Sequence, residues 1–195
     1  MIRNILMRVI FLSTVLIGSA AIWPIFFMKN IKKLYMRFVF FGIFVLYFGL
    51  DRLTKYLVVS GLDLHQTIPV LKDVFHITYI RNAGAAFGIL QNKVTFFILI
   101  AFISIFMIVF YAFSRQADKI WVQVALGSLL GGACGNLYDR ILYGYVIDFL
   151  DFRYIDFPIF NFADVVIDIG IVMLCWEIIF SEEEQKGDIN ASSVD

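Results

Sequence analysis

Four apolar runs constrain this chain more than any other feature: residues 38–50 continuing towards 59, then 95–113, 120–135 and 165–180. A helix needs about 20 residues, with about 17–25 as the working range, to cross the hydrocarbon of a bilayer. Each run qualifies once its polar ends are included. Of the 195 residues 61% are hydrophobic and 16% charged, whereas soluble domains hold about 45–50% apolar and about 25% charged residues. Lipid is therefore the expected solvent, and the expected class is an all-α polytopic membrane protein with four transmembrane helices. A fifth stretch, Val9 to Met28, is equally apolar. No internal repeat or linker divides the chain, and the acidic tail 181–195 reads as a disordered cytoplasmic segment.

Lys29, Lys32, Lys33 and Arg37 precede the first of the four spans and place that end in the cytoplasm. If the spans alternate, segments 51–94 and 136–164 emerge together on the outer face. Every unusual polar cluster lies in those two segments. The formal net charge is zero, and no basic patch points to nucleic acid. The two cysteines, Cys134 and Cys175, sit in apolar runs without any Cys-x-x-Cys, which excludes a disulfide framework and argues against zinc.

The first cluster, Asp51-Arg52-Leu53-Thr54-Lys55, places Asp51 and Lys55 four apart with the acid first, the better order for a helical ion pair. Alone it reads equally as an interfacial salt bridge. The second, Asn82-Ala83-Gly84-Ala85-Ala86-Phe87-Gly88, follows His76–Arg81, whose β-branched and aromatic residues predict a short strand. Its small residues allow close backbone approach, beyond what a turn requires. In the third, Gly127, Gly131 and Gly135 recur every four residues, the close-packing face of a membrane helix. Asn136, Asp139 and Arg140 then make a polar stripe at the end of that helix, with Asp139–Arg140 as a candidate structural pair.

Asp148 lies in the apolar stretch Gly144-Tyr145-Val146-Ile147-Asp148-Phe149, and Asp164 lies where the last span begins, in Phe160-Asn161-Phe162-Ala163-Asp164. Asn161 suits an N-cap with Asp164 in the first turn, so capping competes with catalysis for Asp164. Asp148 has no such structural role. Pro158 bars a continuous helix through 149–163, and that connection returns to the same side, which brings both carboxylates to one depth. Two acids close together near hydrocarbon share a proton, the arrangement of an aspartic protease. A metalloprotease would need His-Glu-x-x-His, and none exists. A serine enzyme would have Ser128 but no histidine in a later span. A proton-relay protein would step its carboxylates across the bilayer, and an assembly factor would leave Asp148 and the Asn82 loop without a role.

Taken together, the clusters resemble the lipoprotein signal peptidase (signal peptidase II) family from about residue 38 to 180. The carrying motifs are Asp51-x-x-Thr54-Lys55, Asn82-x-Gly84-Ala85-Ala86-Phe87-Gly88, Gly135-Asn136-x-x-Asp139-Arg140, Gly144-x-Val146-x-Asp148-Phe149 and Phe160-Asn161-x-Ala163-Asp164, in that order. The resemblance implies a bacterial inner-membrane aspartic endopeptidase, a monomer without cofactor or metal. It would remove the signal peptide of prolipoproteins just before the diacylglyceryl-modified cysteine. By position, Asp148 and Asp164 match the family's catalytic aspartates, while Asn82, Gly84, Asn136, Asp139, Arg140, Asn161, Asp51 and Lys55 match residues that shape the site. The outer loop 60–94 would form a small sheet and half-helix cradling the substrate. Asp168, one turn after Asp164, departs from the uncharged residue expected there and is read as hydrogen-bonding inward. Residues 1–27 precede the usual start of the family, as a fifth span or because translation begins at Met28; the peptidase domain is expected over 28–180.

Overall fold

A backbone surrounded by hydrocarbon must satisfy its own N–H and C=O groups, so the long apolar runs become helices. The computed structural model describes residues 2–84, 90–114, 117–155 and 157–192, with side chains placed for 27, 28 and 30–180 within those ranges. Helices α1 (Ile2–Gly61), α2 (Val94–Ala112), α3 (Ile120–Tyr143) and α4 (Phe162–Ser192) and strands β1 (Thr67–Leu71), β2 (Phe75–Asn82) and β3 (Val146–Phe152) follow one another in the order α1-β1-β2-α2-α3-β3-α4. Two compact units result, Met1–Phe38 and Val39–Asp195; the described residues of the first are all helical. α4 is helical to Ser192, past the point where the sequence reading begins the tail.

Among the described residues, three helical stretches are long and apolar enough to cross a membrane: Asn30–Gly61, Val94–Ala112 and Ile120–Tyr143. α4 carries Asp164, Asp168 and Glu177 and does not join them on those grounds. In the second unit, glycines set the helix spacing. A Cβ on Gly127 would lie 2.7 Å from the Phe40 carbonyl oxygen, and one on Gly131 2.9 Å from the Tyr47 Cβ, so α3 rests directly on α1. Gly132 faces the other way, where a Cβ would collide with the Ala163 carbonyl of α4. The four-residue glycine spacing thus makes the expected packing face, and a second seam with α4 runs beside it. Phe40, Val122, Leu126 and Leu130 form the apolar core between these helices. The buried Gln123 amide donates to the carbonyls of Ala112 (3.0 Å) and Ala117 (2.6 Å), occupying acceptors left open where α2 ends.

The sheet is antiparallel, in the order β1-β2-β3. β2 contains the strand expected over His76–Arg81. Its pairing with β3 slips between Ile77 and Ile80, where Tyr79 instead exchanges backbone hydrogen bonds with His65 and Gln66. β3 corrects the sequence reading, which treated the Asp148 segment as part of a connection and the fold as all-α apart from the 60–94 loop. Gly144, at φ 77°, closes α3 in the left-handed conformation and turns the chain into β3. A second pairing decides the site: the N–H groups of Phe149 and Leu150 both donate to the Phe160 carbonyl, and the Phe160 N–H donates to the Leu150 carbonyl. The start of α4 is thereby fastened to β3. Ala85, Ala86, Phe87 and Gly88, and the half-helix expected there, lie outside the described residues.

Candidate active site

Four charges meet between α1 and α3. Lys55 Nζ is 3.0 Å from Asp51 Oδ1 and 2.9 Å from Asp139 Oδ2. Arg52 bridges the same acids at 2.5 Å and 2.6 Å and stacks over Tyr138, 4.6 Å from the ring centroid. Both carboxylates are fully enclosed, so each needs its cations; a buried charge left alone costs several kcal/mol. The Asp51–Lys55 pair is as the sequence spacing predicts. Asp139 differs: its partners are Arg52 and Lys55 on α1, not the neighbouring Arg140. Residues 139 and 140 project about 100° apart on a helix, so one meets α1 while the other turns to the cavity described below. Asp139 Oδ2 also accepts the Ile147 N–H at 3.2 Å, fixing the start of β3.

Lys55 then reaches Asn136 Oδ1 at 3.0 Å, and Asn136 donates through Nδ2 to Asp164 Oδ1 at 2.7 Å. Asn161 sits at the centre of the arrangement. Its side-chain oxygen accepts the Asp164 N–H at 3.2 Å, while Asp164 Oδ2 accepts the Asn161 N–H at 3.1 Å, the reciprocal cap expected from their spacing. The Asn161 amide is left free to donate to Asp148 Oδ1 at 2.6 Å and Asn136 Oδ1 at 3.1 Å. Asn82, at the end of β2, donates to Asp148 Oδ2 at 3.0 Å, and its own oxygen accepts the Gly84 N–H at 2.9 Å. Asn161 thus caps α4 and holds the Asp148 carboxylate at once, and the capping weighed against catalysis for Asp164 in the sequence is present.

Asp148 and Asp164 both line one cavity of about 500 Å³, with Asn82, Gly84, Asn136 and Arg140 beside them. Asp168 of α4 adds a further carboxylate to the lining, and the rest of the wall is apolar, drawn from β3 and the connection before α4, with Phe152, Phe157, Pro158 and Phe160 among its members. Sequence reasoning missed that wall, although the aromatic density of 152–162 is a visible signal for it. It also left Arg52 out of the site, since its partner Asp139 is 87 positions away. Arg140 lies over the Phe97 ring of α2, 5.1 Å from its centroid. Burial, and then the nearby Asp164 carboxylate, push the Asp148 carboxyl up to about 7; hydrogen bonds from Asn161 and Asn82 pull the other way. An acid that holds its proton near neutrality beside a second acid has the makings of a general acid–base pair. Ser128 offers no comparable chemistry, being enclosed in α3 with its hydroxyl donating to the Val124 carbonyl at 2.9 Å.

Residues 43–180 match the family model described as Signal peptidase (SPase) II. The chain belongs to the signal peptidase II family. A lipoprotein signal peptidase of Brevibacillus brevis is 44% identical over 138 residues, covering 71% of this chain and 93% of that protein. One from Moorella thermoacetica is 38% identical over 151 residues, covering 77% and 97%. A bacterial membrane enzyme structure obtained by the in meso method at 2.3 Å resolution superposes with a TM-score of 0.71 at 34% identity, over 74% of this chain and 90% of that one. As a member of signal peptidase II the chain is a peptidase and a multi-pass membrane protein. The five motifs that carried the resemblance in the sequence all fall inside the matched residues.

Proposed function

We propose that Asp148 and Asp164 are the catalytic pair of an intramembrane aspartic endopeptidase acting on prolipoproteins. The observation that carries this reading is that both carboxylates line one cavity and both accept hydrogen bonds from Asn161, Asp148 from its side-chain amide and Asp164 from its backbone N–H. The cut falls on the peptide bond before the diacylglyceryl-modified cysteine. A water between the two carboxylates gives a proton to the ionised one as its oxygen attacks the carbonyl carbon. The protonated partner donates to the carbonyl oxygen. When the tetrahedral intermediate collapses, the C–N bond breaks and the cysteine nitrogen leaves with a proton returned by the pair. Asn82, Asn136 and Asn161 hold the acids at fixed angles, and Lys55, behind Asn136, supplies positive charge without occupying the cavity.

The same reading makes α4 a fourth span, since Asp164 and Asp168 line the cavity and Glu177 pairs with Lys119 rather than meeting lipid alone, and takes 28–180 as the peptidase domain. The Lys29–Arg37 end is cytoplasmic, so the cavity opens near the outer leaflet of a bacterial inner membrane. The apolar wall from Phe152 to Phe160 would receive the substrate's acyl chains and signal segment. Incubating the purified chain with a diacylglyceryl-modified prolipoprotein and weighing the products tests this. Cleavage immediately before the modified cysteine is expected; no cleavage, or cleavage elsewhere, contradicts it.

A further inference from the structure

Asp168 has no place in the network just described. It lines the same cavity as Asp148 and Asp164, is exposed, and among the described residues no hydrogen bond or ion pair engages it. No inward hydrogen bond of the kind expected from the sequence is made to a described residue. An ionisable side chain in a span costs roughly 2.5–3.5 kcal/mol by insertion scales, and here no partner within the described chain offsets it. The cavity is the polar surrounding open to this carboxylate, and the substrate is what fills the cavity.

Position gives the partner. Four residues of helix at about 1.5 Å each put Asp168 about 6 Å further along α4 than Asp164, away from the capped end. A substrate threaded in extended form advances about 3.3 Å per residue, so about 6 Å corresponds to about two residues. Resting on the reading above, in which the signal segment reaches the pair from within the bilayer, those are the residues two and three before the modified cysteine.

We propose that Asp168 is a specificity-determining residue which accepts a hydrogen bond from a hydroxyl-bearing substrate side chain at one of those two positions, so that the enzyme favours prolipoproteins with Ser or Thr there. Threonine and valine have nearly the same shape and differ in the donor, which isolates the contact. The experiment compares diacylglyceryl-modified substrates carrying Thr or Val at each position in turn, cleaved by wild type, Asp168→Leu and Asp168→Asn. A hydrogen bond to a charged acceptor corresponds to about a tenfold or greater preference for Thr in kcat/KM. That preference is expected in wild type at one of the positions and should vanish in Asp168→Leu, a change that a general loss of fold or rate would not produce. A ratio near one in wild type, or an undiminished ratio in Asp168→Leu, overturns the inference and leaves the peptidase reading intact. Should Asp168→Leu fail to accumulate, Asp168→Asn decides: a reduced preference supports the inference and an unchanged one overturns it. Failure of wild type to cleave any of the substrates would overturn the peptidase reading and this inference with it.

Discussion

Replacing Lys55 with methionine tests the charge cluster behind the site. Lys55 is 1% exposed and both of its carboxylate partners are 0% exposed. Lys55→Met keeps the volume but leaves Asp51 and Asp139 to share Arg52 alone, and it strips Asn136 Oδ1 of its ammonium donor. Breaking a buried ion pair by removing one partner costs about 3–5 kcal/mol, because the other charge stays behind. For a chain of this size about 2–4 °C of Tm is lost per kcal/mol, so a fall of the order of 10 °C is expected. Thermal unfolding in detergent, followed through the chain's tryptophan emission, measures it. Adding Asp51→Asn restores a one-to-one balance of Arg52 with Asp139 and should recover more than half of the loss, a strongly non-additive result. A Tm for Lys55→Met within about 2 °C of wild type, or a double variant weaker than either single one, would refute the reasoning.

Three further outcomes follow from the same contacts. In the unfolded chain Asp148 ionises near 3.8, while in the fold it keeps its proton to about 7; the folded state binds more protons between those values, so stability falls as pH rises from about 4 to about 7. A Tm–pH series should show that slope in wild type and a shallower one in Asp148→Asn. Gly132→Ala drives a methyl into the Ala163 carbonyl and Ile167, and overpacking of this kind costs about 1–3 kcal/mol; a lowered Tm together with reduced cleavage is expected, because the first turn of α4 carries Asp164. Asn161→Ala removes a helix cap worth about 1 kcal/mol and one of the two amide donors to Asp148, so turnover should drop far more than stability, as paired Tm and rate measurements would reveal.

Contacts set by local spacing were legible in the sequence. The Asp51–Lys55 pair, the Asn161–Asp164 cap and the Gly127–Gly131 packing face each follow from the three- and four-residue periods of a helix. Contacts made by the chain returning on itself were not. Nothing near Asp139 announces that its cations sit on α1, and adjacency suggested Arg140 instead. β3 escaped notice because its run, Val146-Ile147-Asp148-Phe149-Leu150, is apolar on both faces and lacks the alternation of a half-buried strand. The pairing of Leu150 with Phe160 depends on that strand, so the mechanism that draws Asn161 onto Asp148 stayed hidden, although the convergence of the two segments had been expected from topology. Asp168 was conspicuous as a residue and silent about its surroundings.

On the reading proposed above, Asp148 and Asp164 act together on one peptide bond. Single-turnover cleavage of a diacylglyceryl-modified prolipoprotein by Asp148→Asn and by Asp164→Asn, each checked for folding in the same detergent, tests it most directly. Loss of cleavage in both variants with the fold retained is predicted; wild-type turnover by either one would contradict it.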